Sequence, residues 1–130
     1  MSSILIVDDE PMVIRIVKLG LERAGHEVTS ACNGSEALKL LREQDFDVLI
    51  TDLNMPLMGG RELCQTFRAE MPERDPLIFV VTARPGEGHR EWAGDLENVE
   101  FVEKPASVRH LIARMNERMA ARPAVDREGV

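Results

Sequence analysis

Short strand-like runs alternate along this chain with longer segments whose apolar residues recur every three or four positions. Four of the runs are strongly apolar, and the fifth, at 27–31, alternates polar and apolar residues; together they cover 3–7, 27–31, 47–51, 77–81 and 99–102. Apolar runs of this length, separated by amphipathic segments, are typical of buried parallel strands. The pattern therefore predicts an α/β fold: a parallel sheet covered by helices on both faces and joined by right-handed crossovers.

The intervening segments predict helices with recognisable ends. A helix over 11–24 begins at a proline, suited to a first turn, and stops at Gly25. Its predicted inward positions are Val13, Ile16, Val17, Leu21 and Ala24. Helices follow over 33–43, where Asn33 or Gly34 can cap the start, and over 61–69. The last helix is predicted from the spacing of Val108, Leu111, Ile112, Met115 and Met119.

Two segments are predicted to be irregular. The Gly- and Pro-rich stretch 84–88 indicates a loop, so any helix after it is short, about 89–95. After Pro123 the chain reads as a tail or the start of a linker. We therefore expect one domain over 1–122, followed by a tail over 123–130.

Acidic, basic and hydroxyl side chains stand where the apolar runs end. Asp8 and Asp9 follow the first run, Asp52 the third, Thr82 the fourth and Lys104 the fifth. Because functional groups in an open parallel sheet collect at the carboxyl ends of the strands, these side chains are expected to share one crevice. Three carboxylates, an ammonium and a hydroxyl suit Mg²⁺ and a phosphoryl group.

Composition excludes several classes of protein. The chain has 130 residues and a net charge of -7, which argues against binding to nucleic acid or an anionic membrane. The amino terminus has the pattern of neither a signal peptide nor a membrane span, so we expect a cytoplasmic protein. Cys32 and Cys64 are interpreted as small buried hydrophobes, without a disulfide framework. None of the histidines stands beside a nucleophile, and surface or capping roles are expected for His26, His89 and His110.

Four motifs resemble those of the response-regulator receiver domain, the phospho-accepting partner in two-component signalling. They are ILIVDDE at 4–10, ITDLNMPLMGG at 50–60, VVTA at 80–83 and FVEKP at 101–105. Each motif alone is weak, but all four in order, across about 3–118, are specific. The resemblance implies a flavodoxin-like (βα)5 three-layer sandwich with strand order 2-1-3-4-5.

The resemblance also implies a role for each site residue. Asp52 would be the phospho-acceptor, and Lys104 and Thr82 would bind phosphoryl oxygens. Mg²⁺ (or Mn²⁺) would be held by two adjacent acids, the acceptor and one backbone carbonyl: Asp8, Asp9, Asp52 and Asn54. The phosphoryl donor would be a sensor histidine kinase or a phosphotransfer protein, with self-phosphorylation and self-dephosphorylation the only chemistry of the domain itself.

Switching and phosphate lifetime involve further positions. Thr82 and Phe101 match the switch pair, although Phe101 lacks the hydroxyl that many relatives carry there. Asn54 and Arg84 lie two residues beyond Asp52 and Thr82, where relatives tune the lifetime of the phosphoryl group. Gly59 replaces a small polar or acidic residue, which predicts a weaker start to the third helix. The output is expected to be a downstream protein partner or a homodimer, without direct contact to nucleic acid or membrane.

Other interpretations stay open at this point. Taken singly, the acids at 8 and 9 could favour a helix dipole, Asp52 could be a turn residue, and Thr82 a strand residue. A phosphatase of the haloacid dehalogenase type also uses an aspartate nucleophile with Mg²⁺, but it would need a second acid at Asn54 and a cap domain. A receiver-like interaction module that has lost phosphorylation would normally lack one of the site residues, and none is missing.

Overall fold

The fold is a five-stranded parallel sheet between two layers of helices. The computed structural model describes residues 2–84, 92 and 98–121. The strands are β1 (Ser3–Val7), β2 (Glu27–Ala31), β3 (Val48–Asp52), β4 (Leu77–Thr82) and β5 (Val99–Glu103). Their order is β2-β1-β3-β4-β5, and every neighbouring pair is parallel. The predicted fold class and strand order are both confirmed.

Four helices are described: α1 (Pro11–Arg23), α2 (Gly34–Glu43), α3 (Gly60–Glu70) and α4 (Val108–Ala121). The predicted loop at 84–88 and short helix at 89–95 lie outside the described residues, except for Arg84 and Trp92. The predicted tail at 123–130 lies outside them too. No helix within the described ranges combines the length and apolar character that crossing a membrane requires.

The strands bury both of their faces, as expected of a parallel sheet. On β1, Leu5 and Val7 pack in the cluster that contains α2 and α3. The alternate residues, Ile4 and Ile6, pack in the cluster that contains α1 and α4. This alternation of side chains divides the core into two layers, one on each face of the sheet.

Local chemistry explains where the helices begin and end. The Asn33 side chain caps α2 by accepting a hydrogen bond from the Glu36 backbone N–H at 2.8 Å. Gly59 precedes α3 without a side-chain cap. Gly25 has a φ of +95° just after α1, a conformation that glycine adopts readily.

Two predictions about burial were wrong. Ile16, expected to face the core, is 59% exposed, and Ala24 is also exposed. The core-facing stripe of α1 is narrower than the periodicity indicated because the helix buries only the side that contains Val17 and Leu21. Cys32 is exposed because it lies just after β2, where its thiol reaches the Glu36 carboxylate at 3.2 Å.

The other cysteine and the histidines agree with the sequence analysis where they are described. Cys64 is fully buried on α3, and burial raises the pKa of its thiol to about 12. His110 is exposed on α4, where its backbone N–H donates to the Ser107 hydroxyl at 3.0 Å. His26 is half-buried and accepts a hydrogen bond from the Ser2 backbone N–H at 3.1 Å. His89 lies outside the described residues.

Candidate functional site

Asp52 occupies the middle of the candidate site. It is the last residue of the central strand β3, one residue later than the predicted strand end, and only 3% of it is exposed. Its Oδ1 atom lies 3.0 Å from the Nζ atom of Lys104. A buried carboxylate is stable in its charged form only with such a partner, so this pair holds the centre of the site together.

Lys104 is positioned by its own backbone. It directly follows β5, and its N–H donates to the carbonyl oxygen of Thr82 at 2.9 Å. Burial acts to lower the pKa of the Lys104 ammonium, but the hydrogen bond and charge of Asp52, with help from Asp8 and Glu10, raise it overall. The ammonium therefore stays charged near Asp52 at neutral pH.

The segment after β1 contributes a group of three carboxylates. Asp8, Asp9 and Glu10 each offer an oxygen, and these oxygens lie within 4.8 Å of one another. Asp8 is buried, whereas the other two are exposed. The Asp8 backbone donates to Ala31 at 3.2 Å, and its side chain accepts from the Glu10 N–H at 2.9 Å. The chain reversal at the end of β1 thus gathers the acids.

Asp8 has a pKa that is shifted from its ordinary value. Burial raises the pKa of its carboxyl, the Glu10 N–H opposes that effect, and the nearby Asp52 charge raises the pKa further. Two like charges near each other in a buried place favour a cation. Hard carboxylate oxygens are the ligands that Mg²⁺ prefers, so this donor set fits the predicted metal. Glu10 was not predicted, and its place directly after Asp8-Asp9 was the available signal.

Thr82 ends β4, also one residue later than predicted, and is 3% exposed. Its hydroxyl oxygen accepts a hydrogen bond from the Arg84 backbone N–H at 3.2 Å. Because strand β4 lies between β3 and β5, the carboxyl end that carries Thr82 adjoins the ends that carry Asp52 and Lys104. The strand order therefore brings Asp52, Thr82 and Lys104 to the same edge of the sheet.

The loop after Asp52 is tightly constrained. The Leu53 N–H donates to Val81 at 3.0 Å, and the Gly60 N–H donates to Leu53 at 2.9 Å. A Cβ atom on Gly60 would lie 2.5 Å from the backbone oxygen of Asp52, so only glycine fits there. Asn54, next in the loop, has an exposed side chain. The close approach of α3 to β3 fixes the backbone on either side of Asn54.

Phe101 lies on the face of β5 that packs against the α2–α3 layer. It is half-buried and packs edge-to-face with Trp92 at a centroid distance of 5.5 Å and an angle of 87°. Trp92 is 6% exposed. This contact was not predicted, although the only tryptophan of the chain in an otherwise ambiguous segment was a signal.

Comparison with known proteins agrees with this architecture. A family model described as the response regulator receiver domain matches residues 4–116. The chain belongs to the response regulator receiver family. Solved structures of similar fold include the chemotaxis protein CheY4 of Vibrio cholerae, with 28% identity and a TM-score of 0.82 over 90% of this chain and 98% of that one. A receiver domain protein from Methanospirillum hungatei gives 25% identity and a TM-score of 0.81 over 92% of this chain and 94% of that one.

A third relative was solved with ligands. The response regulator protein TrrA from Thermotoga maritima, in complex with Mg²⁺ and BeF, is 31% identical to this receiver domain. Its TM-score is 0.75, over 90% of this chain and 98% of that one. The receiver fold and the two-component class therefore stand on sequence, topology and comparison together.

Proposed function

We propose that this receiver domain accepts a phosphoryl group on Asp52 from a sensor histidine kinase or a phosphotransfer protein. The supporting observation is the buried Asp52 carboxylate, 3.0 Å from the Lys104 ammonium and within electrostatic reach of Asp8. One Asp52 oxygen attacks phosphorus as the bond between phosphorus and the donor breaks, which leaves an acyl phosphate. The domain would catalyse only its own phosphorylation and dephosphorylation.

The proposed metal is Mg²⁺, for which Mn²⁺ could substitute. Asp8 and Asp9 would hold it, together with an Asp52 oxygen and the backbone carbonyl of Asn54. Glu10 adds negative charge beside them. When bound, the ion supplies charge neutralisation for the acceptor and the incoming phosphoryl oxygens. The chain itself provides the buried, prearranged carboxylates.

Lys104 and Thr82 would act on the transferred group. In the structure, the Lys104 ammonium is paired with Asp52. We infer that the ammonium moves to a phosphoryl oxygen when Asp52 becomes acylated, since such charge-assisted contacts are the strong ones. The Thr82 hydroxyl would donate a hydrogen bond to a second phosphoryl oxygen. It would then give up the hydrogen bond that it accepts from the Arg84 backbone N–H.

The output would follow from that movement of Thr82. Space vacated beside β4 would allow Phe101 to shift inward, away from its present contact with Trp92. The changed surface would recruit a protein partner or form a homodimer, with no contact to nucleic acid or membrane. Asn54 and Arg84 would tune how long the phosphoryl group lasts. We place this function in the cytoplasm, within a receiver unit of residues 1–122, followed by a tail or linker.

The test is the intact mass after incubation with Mg²⁺ and a small phosphodonor. The parent should gain one phosphoryl group, and Asp52→Asn should gain none. Asp45→Asn is the matched control, because Asp45 is an exposed acid that pairs with Arg74 at 2.8 Å outside the site. Turnover of a phosphate ester without a stable added mass would favour a phosphatase. If the protein shows neither an added mass nor turnover, the result favours an interaction module.

A further inference from the structure

A cavity opens beside the carboxylates, between α1 and the segment that joins β5 to α4. Its volume is about 410 Å³, within the range of about 300–1,000 Å³ typical of small-molecule pockets. Most of its wall is apolar and comes from α1, from the strand ends and from the chain around α4, including Val13, Ile16, Val17, Ala106 and Leu111. Ile16, which is partly exposed, belongs to this lining.

Charged side chains line the same cavity. They are Asp8, Glu10, Asp52 and Lys104. Lys104 pairs with Asp52 and acts more weakly on Asp8 and Glu10, so the lining holds three carboxylates against one ammonium. An occupant of this cavity therefore meets an apolar wall and two negative charges, a combination that selects for a molecule with an apolar body and a positive end.

We propose that the cavity binds an amphiphilic organic cation, a protonated amine whose apolar body lies between α1 and α4 and whose ammonium faces Asp8 and Glu10. An anionic amphiphile would be repelled by these carboxylates. A neutral one would fill the apolar part and leave the acids without a counterion. Charge complementarity thus identifies the chemical class of the ligand.

This site would regulate the domain by competition. Because Asp8 also belongs to the metal site of the proposed function, amine and Mg²⁺ would exclude each other, and the amine would slow phosphorylation. The regulatory part of the inference rests on the proposed function, whereas binding of the amine does not. The two can therefore fail separately.

Binding is measured by NMR titration of the metal-free full chain with octylammonium, octanol and octanoate as probes. Octylammonium should shift resonances of α1 and the segment 104–106 saturably, octanol should bind at least about tenfold more weakly, and octanoate should not bind. Mg²⁺ at ten times its own dissociation constant should raise the apparent Kd of octylammonium about elevenfold. Equal binding of octanol would overturn the cavity site, and no effect of Mg²⁺ on octylammonium binding would overturn its competition with the metal.

Matched variants on α1 locate the ligand. Val13→Trp places a large ring in the cavity and should abolish octylammonium binding. Leu19→Trp places the same ring on the exposed part of α1, outside the cavity lining, and should leave binding unchanged. Asp8→Asn should weaken octylammonium more than octanol, which keeps the test decisive if Val13→Trp fails to fold. Equal affinity in all three variants would contradict the assignment.

If octylammonium binds as expected but Asp52 takes no phosphoryl group, the proposed function fails and the cavity site stands.

Discussion

At the scale of single residues, Asp8 determines how the stability of the metal-free protein responds to pH. Its folded-state pKa is raised above 3.8, chiefly by burial and in part by the Asp52 charge. An acid whose pKa is higher in the folded state than in the unfolded state lowers the free energy of unfolding when it is ionised. This destabilising penalty is therefore present at neutral pH. The penalty decreases as the pH falls through the raised pKa and is absent below the unfolded value of 3.8.

Asp8→Asn should therefore raise the free energy of unfolding of the metal-free protein at pH 7. The asparagine oxygen can still accept the Glu10 N–H, so the backbone turn is kept. The difference from the parent should shrink toward zero as the pH approaches 3.8. Urea unfolding in a chelator across this pH range measures it, with Asp45→Asn as the control. A metal-free Asp8→Asn that is less stable than the parent at pH 7 would refute this view.

Leu57 is a second residue that lowers the stability of the fold, through its strained backbone conformation. It has a φ of +69° in the loop after Asp52 and is 85% exposed. A left-handed conformation costs a non-glycine residue about 1–2 kcal/mol, which glycine would avoid. Glycine loses more conformational entropy on folding, and this loss offsets about 0.5–1 kcal/mol of the gain. Leu57→Gly should thus stabilise the domain by about 0.5–1 kcal/mol in urea unfolding. Leu57→Ala keeps the Cβ atom and should change little; equal gains from both variants would mean that the backbone angle is not the cause.

At the scale of elements, the crossing of α1 and α4 depends on a glycine. A Cβ atom on Gly20 would lie 2.6 Å from a methyl group of Val108, whose branched side chain cannot move far. Gly20→Ala gains helix propensity of about 1 kcal/mol but incurs overpacking of about 1–3 kcal/mol, so a net destabilisation of about 1 kcal/mol is expected.

The matching test is a double-mutant cycle. In a Val108→Ala background the clash is absent, and Gly20→Ala should become neutral or stabilising. The coupling energy between the two sites should be about 1–2 kcal/mol. Strictly additive effects in thermal or urea unfolding would show that the helices relax without cost.

Element positions were largely predictable because periodicity and end signals agree. β1 and β2 have the predicted bounds, and the Asn33 cap and Pro11 start follow from local chemistry. β3 and β4 extend one residue further, to Asp52 and Thr82, because neighbouring strands continue the ladder beside them. The exposure of Ile16 was not predictable from spacing, since the partner helix decides how wide a stripe is covered.

At the scale of the whole molecule, the proposed switch can be followed through one fluorophore. Trp92 is the only tryptophan, and its ring contacts Phe101. Phosphorylation should change the Trp92 emission if Phe101 moves inward. Thr82→Ala should still accept a phosphoryl group but show little emission change, and Phe101→Ala should lack the phosphorylation-dependent part. If both variants respond to phosphorylation as the parent does, the signal travels through another element.

The site as a whole was predictable only in part. Parallel strands bring their carboxyl ends to one edge, so the convergence of Asp8, Asp52, Thr82 and Lys104 followed from topology. Strand order came from family resemblance, because periodicity alone does not order strands. The cavity beside α1 and the contact between Trp92 and Phe101 depend on how distant segments pack, which no local pattern specifies.

Chemical trapping of the acyl phosphate tests the central claim most directly. The protein is incubated with Mg²⁺ and a small phosphodonor, then reduced with borohydride, which converts an aspartyl phosphate to homoserine. Peptide mass spectrometry should find homoserine at position 52, and none in Asp52→Asn. Homoserine at position 8, 9 or 45 instead, or a phosphorylated protein without any homoserine, would contradict Asp52 as the phospho-acceptor.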